Sequence, residues 1–120
     1  MMDNSIKALG LMSGTSLDGI DASILQSDGE EYIEIIDNKY LKYPDHFREK
    51  LYNYIEKNSS KEDILKSKEE YEDIQRELTI IHSSICLEII GNYSKQIDFI
   101  GFHGQTIFHN PNLGYTIQMG

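Results

Sequence analysis

Between Ser13 and Asp21 the sequence SGTSLDGID sets three hydroxyls, two carboxylates and two glycines within nine residues. Hydroxyl and backbone amide donors in such a turn grip phosphate oxygens, and successive amides can form an anion-binding nest. Gly14 and Gly19 let the backbone approach an anion closely and adopt positive φ, and Ser13, Thr15 and Ser16 add hydroxyl donors. Asp18 and Asp21 repel phosphate, so their place beside it makes sense where Mg²⁺, held largely through its waters, bridges them to it. The stretch has no GK[ST] and precedes a strand, so it is not a Walker loop. The same residue types also suit a long hairpin loop whose Ser, Thr and Asp side chains cap their own backbone. Residue types alone leave both readings open.

A second cluster is GFHGQTIFHNP, residues 101–111. His103 and Gln105 stand just past an apolar strand, where an imidazole and an amide can bind sugar hydroxyls or order a water. A buried histidine satisfying a backbone carbonyl is the equally open alternative. His103 and His109 are the one tempting metal pair, and without a Cys or acid nearby a zinc site is disfavoured. His46 and His82 fall in helical segments, at surfaces or packing edges, and Cys86 reads as core filler.

The bulk numbers bound what these clusters can serve. A chain of 120 residues holds one domain with one core. Net charge is −9, from 20 acidic and 11 basic groups, which repels nucleic acid and anionic membrane surfaces without excluding phosphate. No apolar run approaches the ~20 residues of a membrane span. The N-terminal stretch lacks the basic and apolar regions of a secretory signal. A single cysteine, Cys86, agrees with a reducing compartment, so the expected location is the cytoplasm.

The elements that must position the two clusters follow from periodicity. Residues 6–12 read as a strand buried on both faces, 20–26 as its antiparallel partner, and 32–43 as a third, longer strand after a turn signal. Phe47, Leu51, Tyr54 and Ile55 recur at helical spacing over 45–57. Ser60 with Asp63 resembles a capping box and opens one long helix over roughly 61–90, a break near Ser67 being left open. Residues 97–102 read as a compact, buried-type strand, and 106–109 and 115–119 as two more around the Asn110-Pro111-Asn112 turn. The order β-β-β-α-α-β-β-β predicts an α+β or mixed-sheet α/β fold, an antiparallel meander with helices packed on a face.

The stretch GLMSGTSLDGIDASIL closely resembles the N-terminal ATP-binding signature of the anhydro-N-acetylmuramic acid kinases, and GFHGQTIFHNP and YTIQMG resemble that family's next two signatures in the same order. The resemblance implies a partial N-terminal lobe of an actin-like ATPase, of ribonuclease H-like fold, over residues 1–120, with no second domain. It implies ATP and Mg²⁺ as cofactors. Gly14, Thr15, Ser16, Leu17, Asp18, Gly19, Ile20 and Asp21 would form the ATP-binding segment, with Asp18 and Asp21 near Mg²⁺. His103, Gln105 and Thr106 would face the sugar. The family opens the 1,6-anhydro ring of its substrate with water and phosphorylates O6, in the recycling of cell-wall fragments. It also implies a homodimer. The family's water-activating aspartate lies beyond the segment matching TIQMG, so no catalytic residue is expected here. The chain is then expected to be inactive alone: a fragment, a split-gene product, or one half of a two-chain enzyme with a separately encoded C-terminal portion. A non-catalytic phosphate-binding module and a gene remnant are the alternatives.

Overall fold

Strands β1 (Ile6–Met12), β2 (Gly19–Ser27) and β3 (Ile33–Lys42) pair antiparallel in sequence order, as their alternating apolar residues predict. The structure, a computed structural model, describes residues 5–93 and 95–120. Asp28 makes the β2–β3 turn, its carboxylate accepting from the amides of Glu30, Glu31 and Tyr32. Helices α1 (Asp45–Lys57), α2 (Lys61–Lys66) and α3 (Lys68–Gly91) then lead to β4 (Phe99–Phe102). β4 lies parallel to β1, giving a four-stranded mixed sheet in the order β3-β2-β1-β4. β5 (Gln105–Asn110) and β6 (Tyr115–Met119) form a separate antiparallel hairpin.

Register decides which side of the sheet becomes core. Leu9 pairs with Ile24 and Leu11 with Ala22, so these four share a face and are buried. Against them pack Phe47, Leu51 and Tyr54 of α1 and Ile74, Leu78, Ile85 and Ile89 of α3, stripes at three- and four-residue spacing. Full burial of each such aliphatic side chain contributes about 1.5–3 kcal/mol. Ile107 and Met119 bring the β5–β6 hairpin into the same core. Ile107 does so at a register shift between Thr106 and Phe108, a bulge that turns an extra residue inward.

Two expectations are corrected and one left open is decided. β1 is not buried on both faces: Ile6 and Met12 are exposed, because among the described residues the helices cover one side. β4 is not a buried strand; all four of its residues are exposed, since it is the sheet's edge. The break left open near Ser67 is present, so the run over 61–90 is two helices. Ser60 caps α2 by accepting from the Asp63 amide at 3.1 Å, and Ser67 interrupts the run. The Ser67 hydroxyl lies 3.0 Å from both the Tyr54 hydroxyl and Asn58 Oδ1 and 2.9 Å from the Asp63 carbonyl, bonds that hold the break.

Candidate functional site

The polar connection between β1 and β2 is pinned by its carbonyls. The Gly14 carbonyl accepts from Gln105 Nε2 at 2.8 Å. Arg48, on the first turn of α1, donates from Nε to the Leu17 carbonyl at 3.1 Å and from Nη2 to the Ser16 carbonyl at 3.4 Å. The Asp18 carbonyl accepts from the Tyr43 amide at 2.9 Å. Gly14, Thr15 and Ser16 meanwhile are exposed. A Cβ at Gly14 would meet nothing nearer than Ser16 Oγ at 3.9 Å, so the loop's outer side is open.

The expected positive φ at Gly14 and Gly19 is corrected. Neither adopts it; the loop's left-handed residue is Leu17, at φ 61°. The Leu17 side chain is buried, and that burial offsets a conformational cost of about 1–2 kcal/mol. Gly19 is needed for close approach instead, because a Cβ there would strike the Leu41 carbonyl on β3. Ile20, next along β2, is fully buried in the core.

The two carboxylates part. Asp18 lies 3.4 Å from Arg48 Nη2, an exposed pair worth at most about 1 kcal/mol. Asp21 stands on the sheet face away from the helices, in an open trough of about 430 Å³ lined also by Gly10, Met12, Ser23, Gly101 and His103. The structure thus places Asp21 and His103 along one trough and sends Asp18 to α1. Among the described residues no three His, Cys, Asp or Glu side chains converge as a metal cluster.

The second cluster divides in the same way. His103 is exposed; Thr106 is half-buried and accepts from Gln118 Nε2 at 3.2 Å. Gln105 is fully buried, and its amide is engaged at both ends, the Oε1 accepting from the Tyr43 hydroxyl at 2.9 Å. Ser13 is buried too, donating to the Gly104 carbonyl at 2.8 Å, so its hydroxyl is committed to the neighbouring turn. Burial pushes the Tyr43 phenol up, and the neighbouring Ser13 hydroxyl opposes the shift. Of the two places expected for it, His82 takes the packing one and is buried. Its Nδ1 bonds the Leu78 carbonyl at 2.9 Å and its ring meets Phe102 edge-on at 4.8 Å. His46 is exposed, 3.3 Å from Glu77. His109 bonds Thr116 at 2.7 Å. Cys86 is half-buried against the core, and burial pushes its thiol up.

Sequence reading missed Arg48 and Tyr43, the residues that reach the loop from outside it. The one signal was rarity, since Arg48 is one of two arginines in the chain. No helix among the described residues is long and apolar enough to cross a membrane. A family model described as anhydro-N-acetylmuramic acid kinase matches residues 6–120. The anhydro-N-acetylmuramic acid kinase of Pelagibacter ubique is 42% identical over 99% of this chain and 32% of its own length. The enzyme of the same name from Rhizobium etli is 38% identical over 99% of this chain and 33% of its own. That of Brucella suis is 38% identical over 95% of this chain and 31% of its own. The chain therefore spans about a third of the length of these curated relatives.

Proposed function

The chain belongs to the anhydro-N-acetylmuramic acid kinase family and corresponds to the N-terminal portion of its members, and from that premise we propose that it supplies the phosphate-gripping part of an ATP-dependent anhydro-sugar kinase. Residues 1–120 form part of the N-terminal lobe of an actin-like, ribonuclease H-like ATPase. Residues 1–4 and 94 of that unit lie outside the described residues. The substrate is 1,6-anhydro-N-acetylmuramic acid, phosphorylated at O6 as its ring opens with water, and the location is the cytoplasm.

The observation that carries this reading is the loop 14–18, whose carbonyls are taken by Gln105, Arg48 and Tyr43 while Gly14, Thr15 and Ser16 stay exposed. ATP phosphates sit against Thr15 and Ser16, whose amides and hydroxyls donate to them. Asp18, beside Arg48, and Asp21, in the sheet-face trough, are both exposed and do not converge, so either would hold Mg²⁺ only through its waters. When bound, Mg²⁺ neutralises phosphate charge. His103 and Thr106 face the sugar. Residues 1–120 provide positioning and electrostatics, and the resemblance assigns the water-activating aspartate to the part of the family's enzymes beyond TIQMG, so these residues are expected not to turn over by themselves.

The test incubates the purified chain with Mg·ATP and the anhydro sugar, with and without a separately made C-terminal portion of a related kinase. Turnover in the mixture and none from the chain alone is expected. Turnover by the chain alone refutes the reading. Mg·ATP binding with no turnover in the mixture favours a non-catalytic nucleotide-binding module.

A further inference from the structure

Each peptide of the loop is trans, since the described residues contain no cis bond. In a planar trans peptide the N–H points opposite to the carbonyl of the preceding residue. The Gly14 carbonyl is drawn inward by Gln105 Nε2 at 2.8 Å, so the Thr15 N–H is turned outward to the open side of the loop. A glutamine can hold that orientation only if it is itself fixed. Gln105 is fully buried, its second Nε2 hydrogen goes to the Thr106 carbonyl at 3.2 Å, and its Oε1 is occupied by the Tyr43 hydroxyl at 2.9 Å. Tyr43 is fixed in turn by burial and by edge-on contact with Phe47, ring centroids 5.2 Å apart. Ser13 closes a second link, from the loop's first residue to the carbonyl of Gly104. The loop after β1 is thus joined to the start of β5 and the turn before it by hydrogen bonds from two buried side chains, Gln105 and Ser13.

We propose that Gln105 is a positioning residue rather than a ligand: it sets the Gly14 peptide so that the Thr15 amide faces the bound phosphate, and it ties this loop to the 103–106 turn. The inference rests on the nucleotide reading above and assigns the anion's grip to a side chain that never touches it.

The experiment titrates Mg·ATP into the full 120-residue chain and into its Gln105→Met and Tyr43→Phe variants. It follows backbone amide resonances and hydrogen exchange of residues 14–18, with adenosine as a control lacking phosphate. Gln105→Met, of similar volume but without the amide, is expected to weaken Mg·ATP roughly tenfold or more and to speed exchange of the Leu17 amide, which bonds the Gly14 carbonyl. Adenosine binding does not change. Tyr43→Phe keeps the Gln105–Gly14 bond and is expected to do the same more weakly. A folded Gln105→Met chain with wild-type affinity and wild-type loop exchange overturns the inference. If that variant does not fold, a Tyr43→Phe chain unaltered in both respects overturns it. Should the wild-type chain fail to bind Mg·ATP, the nucleotide reading falls, and unchanged loop exchange in Gln105→Met removes the positioning role separately.

Discussion

Gly104 and Gly14 stand at the two joined loops under opposite constraints. Gly104 has φ +78°, and a Cβ on it would run into the carbonyl of Met119. Alanine there costs about 1–3 kcal/mol from backbone conformation alone, before the clash is counted. Gly14 has neither a positive φ nor a crowded neighbour, its nearest contact being Ser16 Oγ at 3.9 Å. Gly104→Ala is therefore expected to lower the unfolding temperature by several degrees. Gly14→Ala is expected to stay within about 0.5 kcal/mol of wild type while weakening Mg·ATP, because its new methyl occupies space open to the ligand. Thermal unfolding of both variants, with nucleotide titration of the second, checks the pair; a destabilised Gly14→Ala chain would mean that this glycine serves the fold. The sequence makes both glycines visible but not their difference. Likewise it points to glycine for the loop's positive φ, whereas Leu17 adopts it because its side chain reaches the core.

Helix α3 carries a titratable group on its buried stripe, His82, between Leu78 and Ile85. Burial lowers its pKa from the ordinary 6.5, and nearby His103 lowers it further, against the raising effect of its bond to the Leu78 carbonyl. The unfolded chain therefore takes up this proton before the folded one does. Stability from this group is full above the unfolded pKa and is lost as pH falls below about 6.5 towards the folded value. The urea midpoint is expected to drop between about pH 7.5 and 5.5, and His82→Gln should flatten that slope. An equal slope in the variant would assign the loss to other groups. Period three-four spacing made the α3 stripe legible from Ile74 to Ile89, and Ser60 marked the start of α2. The spacing skips from Ile64 to Tyr71 and so leaves a break near Ser67 open, but what stops the helix there is a set of bonds to Asn58, Asp63 and Tyr54 that periodicity does not record.

Across the whole molecule, the parts of the site that lie within one stretch of sequence were legible, and those assembled by folding were not. The 13–19 loop and the 103–106 turn announce themselves by composition. Tyr43 joins them because β3 pairs with β2 up to Lys42 and ends beside the loop, and Arg48 because the first turn of α1 reaches it. Burial was the least legible property, since an apolar run reveals a face without revealing what covers it. β4 is the clearest case. Its Phe99, Ile100 and Phe102 are 61%, 55% and 42% exposed, and β4 has no strand partner on its outer edge among the described residues. Beside it Leu87, exposed on α3, extends an apolar groove with Cys86, Ile90, Ile100 and Phe102. An open strand edge flanked by apolar surface is a template for pairing with another chain. The net charge of −9 opposes association, so it should strengthen as salt screens that repulsion. The chain is accordingly expected to self-associate with rising concentration and ionic strength. Ile100→Lys, which places a charge on the edge strand, should shift it towards monomer without altering the loop's affinity for Mg·ATP. Sedimentation equilibrium across a concentration series decides it: a monomer at every concentration and salt level would show that charge and twist already protect this edge.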